Sequence, residues 1–221
     1  MGLHGSHTQE ATTKMTSNMG RWAPYYDTIT RIMTLGQERA IRAASIAIAG
    51  IKPGDSVLEV GCGTGTLTLA AKAQVGSMGK VYGIDIAPEM LAVARRKAAR
   101  QNLDIVFGPG RIEDIPFPDS QFDAVLCSFM IHHFPDDNVR QKGFAEVQRV
   151  LKPNGRLLIV DLEPPTGLPM SHLAALLYGR QMMQNNNRKL LPMMTTAGFV
   201  DISIQTKFKV IAFIQGRAHK N

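Results

Sequence analysis

Between Val57 and Thr66 an apolar run collapses into glycines at every second position: Val57-Leu58-Glu59-Val60-Gly61-Cys62-Gly63-Thr64-Gly65-Thr66. The run reads as a buried parallel strand, and the pattern Leu67-Thr68-Leu69-Ala70-Ala71 after it reads as a helix. Glycines in the turn between them bare the backbone N–H groups, so a ligand can approach the chain closely. The segment therefore predicts a nucleotide-type cofactor site in an α/β domain.

Spacing narrows the choice of nucleotide. A dinucleotide fingerprint requires Gly or Ala three residues after its second glycine, where this chain carries Thr66. The phosphate loop of nucleotide hydrolases ends in Gly-Lys-Ser/Thr, and no lysine follows these glycines. Glu59, just ahead of the turn, would repel a pyrophosphate and attract a cationic group in a partly dehydrated cleft. The expected ligand carries positive charge.

Apolar runs and helical patterns alternate along most of the chain. A helix over about 28 to 50 comes first. Strands follow at 56–60, 80–85, 104–107, 122–127 and 156–161, with helices at about 65–75, 88–101 and 137–150. Strict alternation implies a parallel sheet covered on both faces through right-handed crossovers. Pro88 suits a first helical turn, where its missing N–H is not needed. Near the end, a helix over about 187–197 is closed by Gly198, and two β-rich runs within 200–214 flank Lys207 to Lys209 and predict a hairpin.

The glycine turn resembles the first motif of the class I S-adenosylmethionine-dependent methyltransferases, which reads like Glu-Val-Gly-Cys-Gly-Thr-Gly. Further segments resemble the family's later motifs in order: Lys80 to Asp85, Ala87 to Leu91, Ile115 to Asp119, Phe122 to Leu126 and Leu151 to Leu157. The resemblance runs from about Tyr25 to about Gly216. Its Ile-Pro-Phe and His-His segments are similar to those of the ubiquinone and menaquinone biosynthesis methyltransferases and of enzymes that methylate phospholipid amines. It implies a Rossmann-like seven-stranded sheet, mostly parallel with an antiparallel C-terminal strand and helices on both faces. It also implies S-adenosyl-L-methionine as cofactor, with S-adenosyl-L-homocysteine as product.

In such sheets the ligand lies beyond the C-terminal strand ends, where the winding reverses. The implied cofactor set is Glu59, Gly61, Cys62, Gly63, Gly65, Asp85, Ile86, Met90, Arg111, Ile112 and Ser128, with Tyr26 on a lid. Glu59 and the glycines would approach the amino-acid part of the cofactor. Asp85 would accept hydrogen bonds from the ribose hydroxyls, against a competing role in capping the helix that contains Pro88. One position departs from the family, which reads Gly-Asp-Ala where this chain has Gly110-Arg111-Ile112. An arginine cannot accept from the adenine amino group, so Arg111 either stacks on the purine or points outwards, and Ile112 is left to offer a backbone N–H.

His132 and His133 follow the fourth strand, beside the expected methyl-donor site. One reading makes them general bases acting on a phenol or an acidic ring carbon; the other makes them packing and buttressing groups. With Cys62 and Cys127 they have no recognised metal-ligand spacing, and no metal is expected. Methyl transfer from an activated sulfonium depends chiefly on alignment in a dehydrated pocket, so a catalytic triad is not required. Two stretches are candidates for the substrate walls: Trp22, Tyr25 and Tyr26, and a cap over about 162–186 with Met170, Leu173, Leu176, Leu177 and Met183. A small hydrophobic acceptor, such as a quinone precursor or a lipid amine, fits these walls.

A chain of 221 residues, 44% of them hydrophobic, can bury a core without disulfides, so one domain over 21–221 is expected behind a loose tail at 1–20. His4 and His7 belong to that tail. Two cysteines and the lack of a long apolar span point to the cytoplasm. A net charge of +7 permits peripheral contact with an anionic membrane, and Arg95, Arg96, Lys97 and Arg100 read as a solvated helix face. The basic charge also admits nucleic acid, but Ser128-Phe129-Met130-Ile131 is not the Asn/Asp-Pro-Pro-aromatic turn of base-amino methylases. RNA methylation, cofactor binding without transfer, and hydride transfer remain the alternatives to be separated by assay.

Overall fold

The computed structural model describes residues 23, 25–34, 36–134, 136–163 and 186–220. The expected tail at 1–20, Trp22 and the cap methionines and leucines between 164 and 185 lie outside the described residues. The described elements are α1 (Tyr26–Met33), α2 (Glu38–Ile48), β1 (Ser56–Val60), α3 (Thr66–Val75), β2 (Lys80–Asp85), α4 (Pro88–Arg100) and β3 (Val106–Pro109). They continue with β4 (Phe122–Ser128), a 3-10 turn (Ile131–His133), α5 (Asp137–Val150), β5 (Leu151–Leu162), a second 3-10 turn (Asn187–Lys189), α6 (Leu190–Thr196), β6 (Phe199–Lys207) and β7 (Ile211–Ala218).

Seven strands form one sheet in the order β3-β2-β1-β4-β5-β7-β6. The pairs from β3 through β5 are parallel, whereas β7 runs antiparallel to both β5 and β6. The β6–β7 hairpin inserts its second strand beside β5, which gives the mostly parallel sheet with one reversed strand near its C-terminal edge.

Period-two alternation sets the two faces of the sheet. Leu58, Val60, Val125, Cys127, Leu157 and Ile159 pack on one face against Phe144 and Val147 of α5 and Met194 of α6. Val57, Ala124, Leu126 and Leu158 pack on the other, against Ile41 of α2 and Leu67 and Ala71 of α3. Glu59 shares the second face by the same alternation, so its carboxylate is carried toward α2 and α3.

Several boundaries differ from the sequence expectation, among them the split of the expected 187–197 helix into a 3-10 turn and α6 and the extension of β7 to Ala218. The helix expected over 28–50 is two helices, α1 and α2, because Gly36 takes a left-handed φ of 76° that no helix interior can hold. This break lets α1 turn over the glycine turn that follows β1. The strand expected at 104–107 is displaced along the chain: β3 starts at Val106 and extends to Pro109. β5 starts at Leu151, directly after α5, with a register shift opposite Phe122 and Ala124.

Candidate active site

The sheet order reverses at β1, whose neighbours β2 and β4 lead away in opposite directions. A crevice is expected beyond the strand ends at such a switch point. A cavity of about 380 Å³ occupies that place, walled by the glycine turn, α1, α2, the end of β4 and the β6–β7 turn.

Each glycine of the turn has its own reason. A Cβ on Gly65 would stand 2.9 Å from the Ala94 Cβ, so this residue lets α3 pack closely on α4, and it is not among the cavity walls. A Cβ on Gly61 would stand 3.0 Å from Met130. Gly63 faces open space, its nearest neighbour being Tyr26 Cε1 at 3.9 Å from an added Cβ, and it adopts a left-handed φ of 52°. A bound group can therefore rest on Gly63.

Glu59 is 2% exposed and accepts a hydrogen bond from the Thr68 hydroxyl. Burial pushes its pKa up to about 7, against the opposing pull of Thr68 and of Arg42. Arg42, on α2, donates from Nη1 to Ser128 Oγ at 3.2 Å and from Nη2 to Glu38 at 3.3 Å, while its buried Nε–H has no partner among the described residues. Glu59, Arg42 and Ser128 all wall the cavity. The cavity thus presents a carboxylate and a guanidinium within one compartment, a donor set suited to the ammonium and carboxylate of an amino-acid group. Ile29, Ile41, Phe129, Leu162, Phe208 and Ile211 give the same cavity an apolar lining.

His132 and His133 both reach this cavity. The His132 Nδ1 lies 2.6 Å from Asp161 Oδ1, and its backbone N–H donates to Asp161 Oδ2 at 3.0 Å. Asp161 is fully buried at the end of β5. The two imidazole centroids are 4.0 Å apart. Although His133 is open to the cavity, the surrounding protein and then the His132 ring push its pKa down to about 4.

The remaining expected cofactor residues are placed less uniformly. Asp85 is 8% exposed, accepting from Gly63 N at 2.8 Å and Ala87 N at 2.9 Å, and burial raises its pKa. It therefore braces the glycine turn against the start of α4, and each oxygen keeps a further lone pair. Met90 and Cys62 wall the cavity; Asp85, Ile86, Arg111 and Ile112 do not. Ile86 is partly exposed, Ile112 is 2% exposed in the core, and Arg111 is paired with Glu113. Burial pushes both cysteine thiols up, so neither is a ready thiolate.

Tyr26 forms part of the cavity wall, and its phenol pKa is raised by burial. Next to it, Asp27 forms an ion pair with Lys97 and accepts from the Thr64 hydroxyl. The expectation of a wholly solvated α4 face needs correction here: Lys97 is tied to Asp27 and Thr64, and Arg95 donates to Phe107 O at 2.7 Å. Arg96 and Arg100 are exposed as expected.

Sequence reasoning does not single out Arg42, Asp161 or the Asp27–Lys97 pair. Asp161 carries a usable signal, an acid closing the apolar run Leu157-Leu158-Ile159-Val160, whereas Arg42 carries none. Among the described residues no group of three or more His, Cys, Asp or Glu side chains is arranged to hold a metal ion. No helix among them is long and apolar enough to cross a membrane.

Residues 57–155 match the methyltransferase domain family. Over 143 residues the chain is 38% identical to the demethylmenaquinone methyltransferase of Deinococcus radiodurans, a match covering 65% of this chain and 58% of that protein. It is 35% identical over 156 residues to the 2-phytyl-1,4-naphthoquinone methyltransferase of Trichormus variabilis, covering 70% of this chain and 67% of that one. The matches thus span about three fifths to two thirds of the relatives' lengths. A crystallised S-adenosylmethionine-dependent methyltransferase from Aquifex aeolicus superposes with a TM-score of 0.66 at 23% identity, covering 80% of this chain and 89% of that chain. That last likeness concerns the fold.

Proposed function

The chain belongs to the class I S-adenosylmethionine-dependent methyltransferases, and we propose that it methylates a small, hydrophobic, hydroxylated aromatic acceptor of the quinol class. The observation that carries this reading is a single cavity lined both by the Glu59 carboxylate and Arg42 guanidinium and by apolar side chains such as Phe129, Phe208 and Ile211. The two relatives named above act, by their names, on demethylmenaquinone and on a phytyl-naphthoquinone, acceptors that would suit the apolar lining.

When bound, the cofactor supplies a methyl group already activated on a sulfonium. The chain's own residues bind and orient. Glu59 would take the ammonium and Arg42 the carboxylate, while Gly63 would give the close backbone approach and Asp85 holds that turn in shape. Tyr26 covers the turn and excludes water, which strengthens these charge interactions. Phe129, Phe208 and Leu162 would bracket the acceptor ring and fix it for in-line attack. Acceptors of this class carry polyprenyl tails, and the net charge of +7 favours work at an anionic membrane surface from the cytoplasmic side.

The test is transfer from methyl-labelled S-adenosylmethionine to a panel of reduced naphthoquinols with short prenyl tails, phosphatidylethanolamine vesicles and RNA. Label in the quinols alone supports the proposal. Label only in the lipid amine or RNA, or cofactor binding with no transfer, replaces it.

A further inference from the structure

Asp161 has no part in the cofactor site, yet it is a fully buried acid placed against the cavity's histidine. Its setting follows from topology: β5 lies parallel beside β4, so the residue ending one strand meets the turn that leaves the other. Three bonds fix the carboxylate. Oδ1 accepts from Leu162 N at 2.8 Å and lies 2.6 Å from His132 Nδ1, and Oδ2 accepts from His132 N at 3.0 Å. A carboxylate held between two backbone N–H groups is acceptor-only, so Nδ1 must carry the imidazole proton. The lone pair is thereby left on Nε2, which among the described residues makes no hydrogen bond, while the ring forms part of the cavity wall.

We infer that Asp161 is a positioning residue that orients His132 as the proton acceptor for a hydroxylated acceptor, an inference that rests on the methyl-transfer reading above. The geometry chooses between the two histidines. Among the described residues His133 has no such carboxylate on its ring, and its imidazole, pushed down to about 4, is a weak base at neutral pH. Asp161 on β5 holds the His132 ring, and the charged and titratable groups that share its cavity are His133 on its own turn, Glu59 on β1, Cys62 in the glycine turn, Tyr26 on α1 and Arg42 on α2.

The step balances. The acceptor gives its hydroxyl proton to His132 Nε2 and forms a bond to the methyl carbon, whose bond to sulfur breaks with the electron pair left on sulfur. The acceptor carries away the methyl group, and His132 returns the proton to water. Asp161 keeps its contact with Nδ1 throughout and steadies the ring, as in other carboxylate–histidine pairs. An acceptor that cannot lose a proton has no use for this pair, so the inference narrows the substrate class to phenol-like or enol-like compounds.

The experiment combines nitrogen-15 NMR of the histidine rings with kinetics. Wild-type protein should show His132 protonated at Nδ1 and bare at Nε2; protonation at Nε2 instead would overturn the inference. Asp161→Asn should lower kcat about 10²-fold and displace the acid limb of its pH profile, with homocysteine-product affinity by calorimetry within twofold. His132→Ala should lose kcat similarly and regain part of it with added imidazole, a rescue no packing role produces. His133→Ala should show no rescue by added imidazole. Full kcat in Asp161→Asn or His132→Ala overturns the inference. Wild-type protein that binds cofactor but methylates nothing would overturn the methyl-transfer reading instead, and the NMR tautomer would still decide the pairing.

Discussion

Asp27 of α1 forms an ion pair with Lys97 of α4 directly over the glycine turn, and the Thr64 hydroxyl from that turn donates to the same carboxylate. This contact fastens α1 across the cavity mouth. Burial alone would raise the Asp27 pKa, but hydrogen bonds from Lys97 and Thr64 outweigh it and hold the carboxyl below its ordinary value. The sign follows: a depressed carboxylate adds stability above its unfolded pKa and loses it as pH falls through the folded one. A partly exposed pair contributes only about 1 kcal/mol. Asp27→Asn should therefore barely change Tm, yet speed product-analogue release and make α1 more susceptible to protease. Unchanged release and cleavage would show that this pair does not hold the lid.

Glu59 gives the clearest pH dependence. Its folded pKa, about 7, stands above the ordinary glutamate value of 4.5, so the folded chain holds a proton that the unfolded chain has lost. Stability of the free protein falls as pH rises from about 4.5 to about 7, by on the order of 3 kcal/mol. Glu59→Gln should raise Tm at pH 8 by about 5 °C while weakening S-adenosylhomocysteine. Binding that analogue at pH 6.5 should release roughly three quarters of a proton, read from calorimetry in buffers of different ionisation enthalpy. Buffer-independent heats would remove Glu59 from the ammonium.

Arg42 is predicted to recognise only the amino-acid tail. Arg42→Met should weaken S-adenosylhomocysteine roughly 10- to 100-fold, the range for a lost charge-assisted hydrogen bond. Affinity for 5′-methylthioadenosine, which lacks that tail, should stay nearly unchanged. Equal losses for both ligands would mean that the substitution merely disturbs the wall through Ser128.

Asp85 braces the glycine turn against the start of α4. Asp85→Ala leaves the Gly63 and Ala87 N–H groups without their partner, at a cost of about 2 kcal/mol in stability. Asp85→Asn, which keeps one acceptor, should fall between. Denaturant melts and calorimetry should show stability and affinity declining together; an affinity loss with unaltered stability would deny the bracing role.

Much of this architecture is legible in the sequence because it depends on local patterns. Apolar runs of five to seven residues mark β1, β2 and β4, and the Gly61 to Gly65 spacing marks the switch-point cleft. Glu59 can be read as cofactor-facing because a buried lone charge demands a partner. The helix break at Gly36 escapes such reading because an isolated glycine in a helical pattern is often tolerated rather than terminating. Arg42 and Ser128 are 86 positions apart, and His132 and Asp161 are 29 apart; only the strand order brings each pair together. Arg111, whose departure from the family pattern leaves stacking or outward pointing open, turns to Glu113 for a reason visible only in the fold, the antiparallel bridge from Arg111 to Asp114.

The most direct measurement is a crystal structure of the protein with S-adenosylhomocysteine. The account predicts its ammonium at Glu59, its carboxylate at Arg42, its chain resting on Gly63, and its ribose hydroxyls within hydrogen-bond distance of Asp85. Amino-acid density anywhere outside the Glu59–Arg42 compartment, or a nucleotide phosphate seated on the glycine turn, would contradict it.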